Sequence, residues 1–424
     1  MAIHVVQQGE SLWSISKRYD TDVTEIMDVN GLQSGVLVPG LALYIPEKEL
    51  FTRIYLFQPN DTLEKIAEKF DVSVSDILKT NPGIDPKQLY TGQRLEIISP
   101  FKLELTTLAF AFPVAGESVL TAFSENAEHL TFLAIVAYSF TKEGNAFIEG
   151  DDVPLINKAL ELNVIPLLMI RNYQNGDFNE KLAGDVLASK SNRDRLVNSL
   201  LRFIKEKGYG GVSIDMEFIP PARRADFVLF LKQLKKGLQE KILHVNVHAK
   251  TEDNPTNRIV GGHDYPEIGK VADLIAVMTI DYGYPTGPPE PIAPLWWMAQ
   301  VLRYARSVIP TEKLQSAFPL YGYDKVISSN KTTALSALSA QNRAIKVGSA
   351  ILYDQAAASP NYRYYAEQAQ HSVWFEDIRS FTAKYQLIDA YDLTGVTYWH
   401  IGLAFPQNWA YVERNLLIRK GINV

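Results

Sequence analysis

Residues 208–218 have the sequence GYGGVSIDMEF, which predicts a buried strand ending in two carboxylates. Side chains alternate faces along a strand, so Ser213, Asp215 and Glu217 share one face. At a rise of about 3.3 Å per residue, the backbone positions of Asp215 and Glu217 are about 6.6 Å apart. Two acids this close repel each other, which separates their pKa values and keeps one protonated, as a general acid requires. The alternative is that both acids lie in solvent or bind arginine or lysine partners.

This stretch resembles the motif of family-18 glycoside hydrolases, the chitinase-like group, whose fourth barrel strand ends in D-x-x-D-x-D-x-E. The last two acids of the motif fall on Asp215 and Glu217, and the first two fall on Gly210 and Ser213. In the family, the aspartate at the position of Ser213 relays charge to the next aspartate of the motif. Because serine replaces it here, the sequence does not fix the pKa of Asp215. The resemblance implies that Glu217 and Asp215 are the catalytic residues.

The composition excludes several functional classes. Of 424 residues, 46% are hydrophobic and 21% charged, which is typical of a globular protein with two or three domains. The net charge is −6, and residues 1–100 contain 9 basic and 14 acidic side chains, so we expect neither a nucleic-acid-binding face nor attraction to an anionic membrane. The absence of cysteine excludes disulfides and thiolate metal sites. No apolar run is long enough to span a membrane, and no signal-peptide pattern follows Met1. We therefore expect a soluble protein that is made without a signal peptide.

A repeat at an offset of 51 positions covers residues 3–99. Each copy predicts the order strand, helix, helix, strand. Ser11 and Thr62 are good N-caps for the first helix, and the second helix is predicted to end near Asn30 or Asn81. The predicted opening and closing strands are residues 5–6 and 41–46 in the first copy, and 56–57 and 94–98 in the second.

This order of elements resembles the LysM module. The resemblance implies binding of glycans that contain N-acetylglucosamine, such as peptidoglycan and chitin, in a groove between two loops of each copy. The loops are residues 9–12 with 30–37, and 60–63 with 81–84. The candidate glycan-binding residues are Gly9, Ser11, Leu12, Asn30, Asp61, Thr62, Asn81 and Ile84. The alternative for the repeated apolar positions is a role in the core alone.

From about residue 101, apolar runs alternate with longer amphipathic stretches, the pattern of a parallel α/β fold. Eight such runs predict a (β/α)₈ TIM barrel, in which chemistry lies at the C-terminal ends of the strands. We therefore predict an α/β protein with LysM modules at 1–48 and 51–99 and a family-18-like barrel at 101–424. Residues 322–394 are predicted to be helical and polar, too helical for the full α+β insertion of many chitinases, which predicts a shallower cleft. The predicted strands are residues 105–112, 130–140, 164–170, 211–217, 243–248, 274–280, 314–320 and 395–400.

The sixth predicted strand supplies further candidates through the same resemblance. Met278 and Asp281 match the family's M-x-Y-D, whereas Ile280 occupies the position of the tyrosine that holds the substrate's acetamido oxygen. Isoleucine cannot donate a hydrogen bond, so another donor is needed. Tyr282 and Tyr398 are the candidates for that role.

The fifth, seventh and eighth strands complete the predicted site. Tyr321, at the end of the seventh strand, is a candidate sugar contact. Trp399 matches the tryptophan that floors the −1 subsite, where an aromatic face meets a sugar ring. Asn246 lies on the inward face of the fifth strand, between His244 and His248. These two histidines are about 13 Å apart along the strand, too far to bind one metal ion together. Residues 296–297, a Trp-Trp pair, form either another platform or a helix anchor.

By resemblance, the reaction is substrate-assisted hydrolysis of a β-linked N-acetylglucosaminide with retention, without metal or organic cofactor. Two LysM modules before such a barrel resemble the spore cortex-lytic N-acetylglucosaminidases (the SleL/YaaH group), which implies peptidoglycan as partner and a location at the spore coat or cortex. Spore coat proteins are a further candidate partner. A chitinase-like binding protein with a degenerate barrel, favoured by Gly210, Ser213 and Ile280, is the alternative, and a chitinase proper is the third interpretation.

Overall fold

The computed structural model describes residues 2–45 and 51–421. Pro46, which ends the predicted first closing strand, and the outermost limits of the predicted domains lie outside these ranges. The described residues form two small N-terminal modules, a barrel, and an insertion within the barrel.

The first module has the predicted order of elements. Its strands Ala2–Val5 and Ala42–Ile45 pair antiparallel, and its helices are Leu12–Tyr19 and Val23–Val29. The hydroxyl of Ser11 accepts a hydrogen bond from the Ser14 backbone, and the Ser14 hydroxyl accepts one from the Ser11 backbone. This capping box satisfies two donors at the start of the helix, which confirms the predicted cap.

The second module repeats this architecture. Strands Phe51–Leu56 and Arg94–Ser99 pair antiparallel, and the helices are Leu63–Lys69 and Val74–Thr80. Thr62 caps the first helix by accepting a hydrogen bond from the Lys65 backbone. The repeated apolar positions therefore produce the same fold twice.

Within the described ranges, eight parallel strands close the predicted barrel. The strand β1 pairs with both β2 and β8, which closes the cylinder and brings all strand ends to one rim. This confirms the predicted TIM barrel. The strands are β1 Leu103–Ala111, β2 Phe132–Phe140, β3 Ile165–Arg171, β4 Gly211–Asp215, β5 Ile242–His248, β6 Leu274–Met278, β7 Leu314–Pro319 and β8 Gly395–Trp399.

Helices surround the barrel, and none of those in the described ranges is long and apolar enough to cross a membrane. The helices are Glu117–Asn126, Val153–Glu161, Glu180–Ala188, Lys190–Lys207, Arg224–Leu238, Tyr265–Gly269, Leu295–Val308, Ile378–Ala390 and Pro406–Asn415, with 3₁₀ turns at Pro113–Ala115, Ala127–His129, Pro221–Arg223 and Thr311–Lys313. Short strands occur at Ala146–Ile148, Tyr173–Gln174, Asp177–Phe178 and Leu416–Ile418.

The interval between β7 and β8 differs from the prediction. Residues 322–394 were predicted to be mainly helical, but they contribute a five-stranded antiparallel sheet with one helix, Ala337–Val347, before the barrel helix Ile378–Ala390. The prediction failed because several of these strands are short and polar, without the apolar run of a buried strand, and because Pro360 argues against a strand. The sheet strands are Tyr321–Val326, Thr332–Ser336, Leu352–Asp354, Ser359–Ala366 and Ala369–Trp374.

The first module packs against this insertion. Val38 and Leu41 of the module share one hydrophobic core with Ile351 and Val373 of the insertion. Gly40 has a φ of 81°, and a Cβ there would lie 1.8 Å from the Ile351 carbonyl oxygen, so this approach requires glycine. The first module and the insertion therefore share one packed hydrophobic core.

The second module is held by one buried acid. Asp389, on the helix Ile378–Ala390, accepts hydrogen bonds from both Nε and Nη2 of Arg53 and from the Ile54 backbone. The side chains of Arg53 and Asp389 are only 16% and 7% exposed. A bidentate pair shielded from water in this way is stronger than an ordinary surface ion pair.

We expect Arg53→Ala to lower the free energy of unfolding by on the order of 2–3 kcal/mol, because it leaves the buried Asp389 charge without its partner. Arg94→Ala is the matched control, since its ion pair with Glu96 is half exposed and should contribute less than about 0.5 kcal/mol. Urea titration of the full chain measures both variants. Equal losses in the two would contradict the assignment of Asp389 as the anchor.

Candidate active site

The two candidate acids lie at the C-terminal rim of the barrel. Strand β4 ends at Asp215, which is 4% exposed, and Glu217 lies two residues further on. Phe218 then takes a left-handed conformation, with a φ of 52°, which turns the chain away from the strand. Asp215 is thus held within the barrel wall, while Glu217 lies at its mouth.

Asn172 fixes the backbone of Glu217. Its Oδ1 accepts the Glu217 N–H and its Nδ2 donates to the Glu217 carbonyl, both at 2.9 Å. Asn172 is fully buried and directly follows β3, the neighbour of β4. Sequence reasoning missed this residue because an asparagine after an apolar strand carries no motif. The two hydrogen bonds fix the position of the Glu217 backbone at the rim of the barrel.

The environment raises the pKa values of both acids. Burial raises the pKa of Asp215 to about 7, and the Arg171 guanidinium opposes that rise. Burial raises the pKa of Glu217 well above its usual range, and the negative charges of Asp215, Asp281 and Asp177 raise it further. The two carboxyls titrate as a coupled pair. The negative charge of Asp215 therefore favours the protonated form of Glu217.

Arg171 is a cation whose charge acts on both acids. It ends β3 in register with Asp215 and lies over the ring of Tyr173, 4.5 Å from its centroid. Its Nη2 lies 3.4 Å from a carboxylate oxygen of Glu149. The sequence analysis did not select Arg171, since only the pairing of β3 with β4 places it beside the acids.

An uncharged cluster occupies the position of the family's missing aspartate. Ser213 Oγ lies 2.8 Å from Nδ1 of His244, and Asn246 Nδ2 donates to the same hydroxyl at 3.2 Å. Burial lowers the pKa of His244 to about 3, so its ring is neutral. The cluster can therefore orient groups but cannot relay charge to Asp215.

Asn246 was predicted to bind substrate, and its amide also bonds neighbouring strands. Its Nδ2 donates to the Ile214 carbonyl, and the residue is 4% exposed, as Asp215 is. A side chain bonded to Ser213 and Ile214 braces β4 against β5. A direct contact of Asn246 with substrate stays a prediction.

Two tyrosines converge on Asp281. Tyr321 and Tyr323 each donate a hydroxyl hydrogen bond to Asp281 Oδ1, at 2.7 and 2.8 Å. Asp281 lies just beyond Met278, the end of β6, with a left-handed φ of 56°. Burial raises the pKa of Asp281, and the two hydroxyls oppose the rise. Tyr323, which the sequence analysis missed, belongs to the insertion sheet, so this sheet forms a wall of the cleft.

The two candidates for the donor missing at Ile280 differ in position. Tyr398 is fully buried and its hydroxyl lies 2.7 Å from that of Tyr385 on a surrounding helix, so it faces away from the cleft. This corrects the assignment of Tyr398. Tyr282 is half-buried against Trp296 and Trp297, with ring centroids 5.2 and 5.4 Å away. Tyr282 therefore stays the candidate.

The tryptophans differ in their surroundings. Trp399 ends β8 and packs against Phe110 and Phe112, with ring centroids 5.0 and 5.5 Å away. Trp296 and Trp297 lie in the first turn of the helix Leu295–Val308; Trp297 packs on the core, whereas Trp296 is 41% exposed. Trp399 thus lies at the same rim as Glu217, and Trp297 anchors its helix.

A hairpin after β3 forms a further wall. Strands Tyr173–Gln174 and Asp177–Phe178 pair through an Asn175-Gly176 turn, in which both residues have positive φ. The Asn-Gly dipeptide is the sequence signal that could have identified this hairpin. Phe178 packs on Phe218, with ring centroids 6.5 Å apart. A groove of about 660 Å³ runs along the hairpin, and neither Asp215 nor Glu217 lines it.

The comparisons with known proteins identify the barrel and the modules. The sequence model of glycosyl hydrolases family 18 matches residues 167–404, and that of the LysM domain matches residues 4–46 and 55–97. The chain belongs to glycosyl hydrolases family 18. It is a glycoside hydrolase that carries two LysM modules before its barrel.

Several relatives of this family-18 chain match it along almost its whole length. It is 34% identical to the putative sporulation-specific glycosylase YdhD of Bacillus subtilis (strain 168), across 99% of this chain and 100% of the relative. It is 31% identical to the cortical fragment-lytic enzyme of Bacillus anthracis, with 99% of both chains covered. The crystal structure of the Bacillus cereus spore cortex-lytic enzyme SleL covers 99% of both chains, with a TM-score of 0.85 at 30% identity.

In the first LysM module, the structure corrects two predicted glycan contacts. Asn30 is fully buried, and its amide bonds the Ile26 carbonyl, both backbone groups of Tyr44, and Nε2 of Gln407 from the barrel. Leu12 is buried in the module core. Both residues maintain the fold, because their side chains are not accessible to a ligand.

In the second LysM module, polar candidates also have internal partners. The Asn81 amide bonds the Ile77 carbonyl and both backbone groups of Glu96, as Asn30 does in the first copy. Asp61 accepts from the Tyr55 hydroxyl and the Gln58 backbone, and Ile84 packs against the module core. These bonds give Asn81 a structural role, and its contact with a glycan stays a prediction.

The exposed candidates in the LysM loops are Gly9, Ser11 and Thr62. Across residues 2–45 and 51–421, no group of three or more His, Cys, Asp or Glu side chains is placed to hold a metal ion. The site of this family-18 barrel therefore consists of paired acids, hydroxyls and aromatic rings.

Proposed function

We propose that this enzyme is an N-acetylglucosaminidase that hydrolyses β-1,4 bonds in spore cortex peptidoglycan during germination, by a substrate-assisted, retaining mechanism. The observation that carries the proposal is the placement of two acids at the end of β4, where Asp215 is buried in the barrel wall and Glu217 lies two residues further on at its mouth. Cortex is favoured as substrate because relatives that match the whole chain are cortical fragment-lytic enzymes.

In this mechanism Glu217 donates its proton to the glycosidic oxygen. The substrate's 2-acetamido carbonyl attacks C1 and forms an oxazolinium ion, so the enzyme needs no carboxylate nucleophile. Asp215, as a carboxylate, holds the acetamido N–H and stabilises the developing positive charge. Glu217 then removes a proton from water, which opens the oxazolinium ring with retention at C1.

The LysM modules would hold the enzyme on its polymer. Their exposed loop residues Gly9, Ser11 and Thr62 are the proposed contacts to N-acetylglucosamine-containing strands. Tethering a catalytic domain to the same strand raises the local substrate concentration. On this proposal the enzyme acts in the spore, at the coat or cortex, and spore coat proteins are candidate partners.

Release of reducing ends from purified cortex fragments tests the proposal, with chitin oligomers as the parallel substrate. Turnover of cortex fragments in preference to chitin oligomers is the expected result. Preference for chitin would favour a chitinase. No turnover of either substrate, with retained binding to cortex, would favour a glycan-binding protein, which the Ser213 and Ile280 positions would then explain.

The pKa values predict a bell-shaped dependence of kcat/KM on pH. Activity needs Asp215 ionised and Glu217 protonated. Because burial raises the pKa of Asp215 to about 7, kcat/KM should rise as pH increases through about 7, and it should fall at higher pH as Glu217 loses its proton. Initial rates on soluble cortex fragments across this range measure both limbs. An acidic limb at the usual aspartate value, about 4, would contradict the buried pair.

A further inference from the structure

A polar groove of about 470 Å³ lies between the first LysM module and the insertion, and we call it the insertion groove. One side is the loop after the module's second helix, which contributes Gln33 and Ser34. The other side is the insertion helix Ala337–Val347, which contributes Asn342 and Lys346. Among the described residues, none from 9–12 lines the insertion groove, so it differs from the predicted groove between the two LysM loops.

Close packing beneath the insertion groove fixes its two sides relative to each other. Nε2 of the buried Gln341, on the insertion helix, donates a hydrogen bond to the Asn30 carbonyl at 2.9 Å. The next residue, Gly31, has a φ of 60°, and a Cβ there would lie 2.6 Å from the Leu338 side chain. The loop and the helix therefore form one composite surface, which a ligand meets already assembled.

The insertion groove and the catalytic cleft lie on opposite faces of the insertion sheet. Tyr323 and Asp324 are neighbours on one strand, so their side chains point to opposite faces. Tyr323 donates to Asp281 in the cleft, whereas Asp324 accepts a hydrogen bond from Arg343 on the insertion helix. A ligand in the insertion groove therefore leaves the cleft free.

The charges of the insertion groove favour an acidic ligand. None of the described residues that line it is acidic, whereas Arg343 and Lys346 are basic. The Asp324 side chain, which is 2% exposed, partly neutralises Arg343, so the exposed Lys346 supplies most of the accessible positive charge. The amides of Gln33 and Asn342 can both donate and accept hydrogen bonds, as sugar hydroxyl and acetamido groups require.

We propose that the insertion groove is a second binding site for peptidoglycan strands, in which Lys346 pairs with a muramic acid carboxylate. Such strands alternate N-acetylglucosamine with N-acetylmuramic acid, whose lactyl group carries that carboxylate, whereas chitin strands are neutral. The amides of Gln33 and Asn342 bond the neighbouring sugar groups. The inference goes beyond the proposed activity, because the insertion groove contains neither Glu217 nor Asp215.

Binding of the full chain to two insoluble polymers tests this proposal. The probes are peptidoglycan glycan strands from which the peptides have been removed, which exposes the lactyl carboxylates, and chitin as the neutral polymer. All chains carry Glu217→Gln so that neither probe is consumed, and depletion of protein from solution gives each apparent Kd.

Lys346→Glu is compared with Lys236→Glu in this experiment. Lys236 is also exposed and also lies in the last turn of its helix, Arg224–Leu238, but it does not line the insertion groove. The two substitutions therefore change the net charge equally and have similar costs from the helix dipole.

Lys346→Glu should weaken binding to the peptide-free strands about 5–20-fold at low salt, because an attraction to the carboxylate becomes a repulsion. Its affinity for chitin should not change, and Lys236→Glu should keep the parent's affinity for both polymers. Lys346→Gln, which should show a smaller loss on the acidic strands alone, replaces Lys346→Glu if the latter does not fold.

Equal affinities of Lys346→Glu and Lys236→Glu for the peptide-free strands would overturn the proposal. An equal loss on chitin would also overturn it, since chitin has no carboxylate for Lys346 to pair with. The comparison needs no turnover, so it decides the proposal even if the unsubstituted chain hydrolyses no substrate and the proposed function fails.

Discussion

Glu217→Gln is expected to lower kcat on cortex fragments by about 10²–10⁴-fold with little change in KM, because it removes the proton donor and keeps the shape of the side chain. Glutamine can retain the backbone bonds to Asn172, which do not involve the side chain of residue 217. Steady-state kinetics of parent and variant measure the loss.

Glu161→Gln is the matched control for that substitution. Glu161 ends the surrounding helix Val153–Glu161 and forms an exposed ion pair with Lys158, so its neutralisation should leave kcat unchanged. Full activity in Glu217→Gln would remove Glu217 from the mechanism. Equal losses in both variants would indicate an effect of charge on binding rather than proton donation.

Asp215→Asn is expected to lower kcat by about 10²–10³-fold, because a neutral amide cannot stabilise the positive charge that develops on the acetamido group. The substitution should also shift the basic limb of kcat/KM to lower pH. The Asp215 charge raises the pKa of Glu217, so its removal lets Glu217 release its proton more easily. The pH dependence of kcat/KM measures both effects in one experiment.

Asp194→Asn controls for the loss of an aspartate, since Asp194 forms an exposed ion pair with Lys190 on the surrounding helix Lys190–Lys207. It should change neither kcat nor the basic limb. A basic limb that moves to higher pH in Asp215→Asn would contradict the repulsion between Asp215 and Glu217. A normal kcat would show that the acetamido group needs no carboxylate.

The barrel and the modules were predictable because their signals are local. Apolar runs such as residues 132–140 and 165–171 are buried on both faces, so their composition alone marks them as strands. The module helices begin at Ser11 and Thr62 because each hydroxyl caps the turn that follows it. The repeat then fixes the rest of each module.

The remaining site residues depend on contacts between distant segments. Asn172 and Arg171 reach Glu217 or Asp215 only because β3 flanks β4 in the closed sheet. Tyr323 reaches Asp281 from an insertion whose half-exposed strands were taken for helices. An asparagine at the end of a LysM helix looks the same in the sequence whether its side chain binds a sugar or bonds the backbone of its own module. For Asn30, only the burial seen in the structure distinguishes the two roles.

Mass spectrometry of the products from purified cortex, treated with the full chain, reads the cleaved bond directly. If Glu217 protonates the oxygen that leaves an N-acetylglucosamine C1, each cleavage should create one new N-acetylglucosamine reducing end. The Glu217→Gln variant should release these products about 10²–10⁴-fold more slowly. New reducing ends on muramic acid would contradict substrate assistance by the N-acetylglucosamine acetamido group and would require a different bond and a different mechanism.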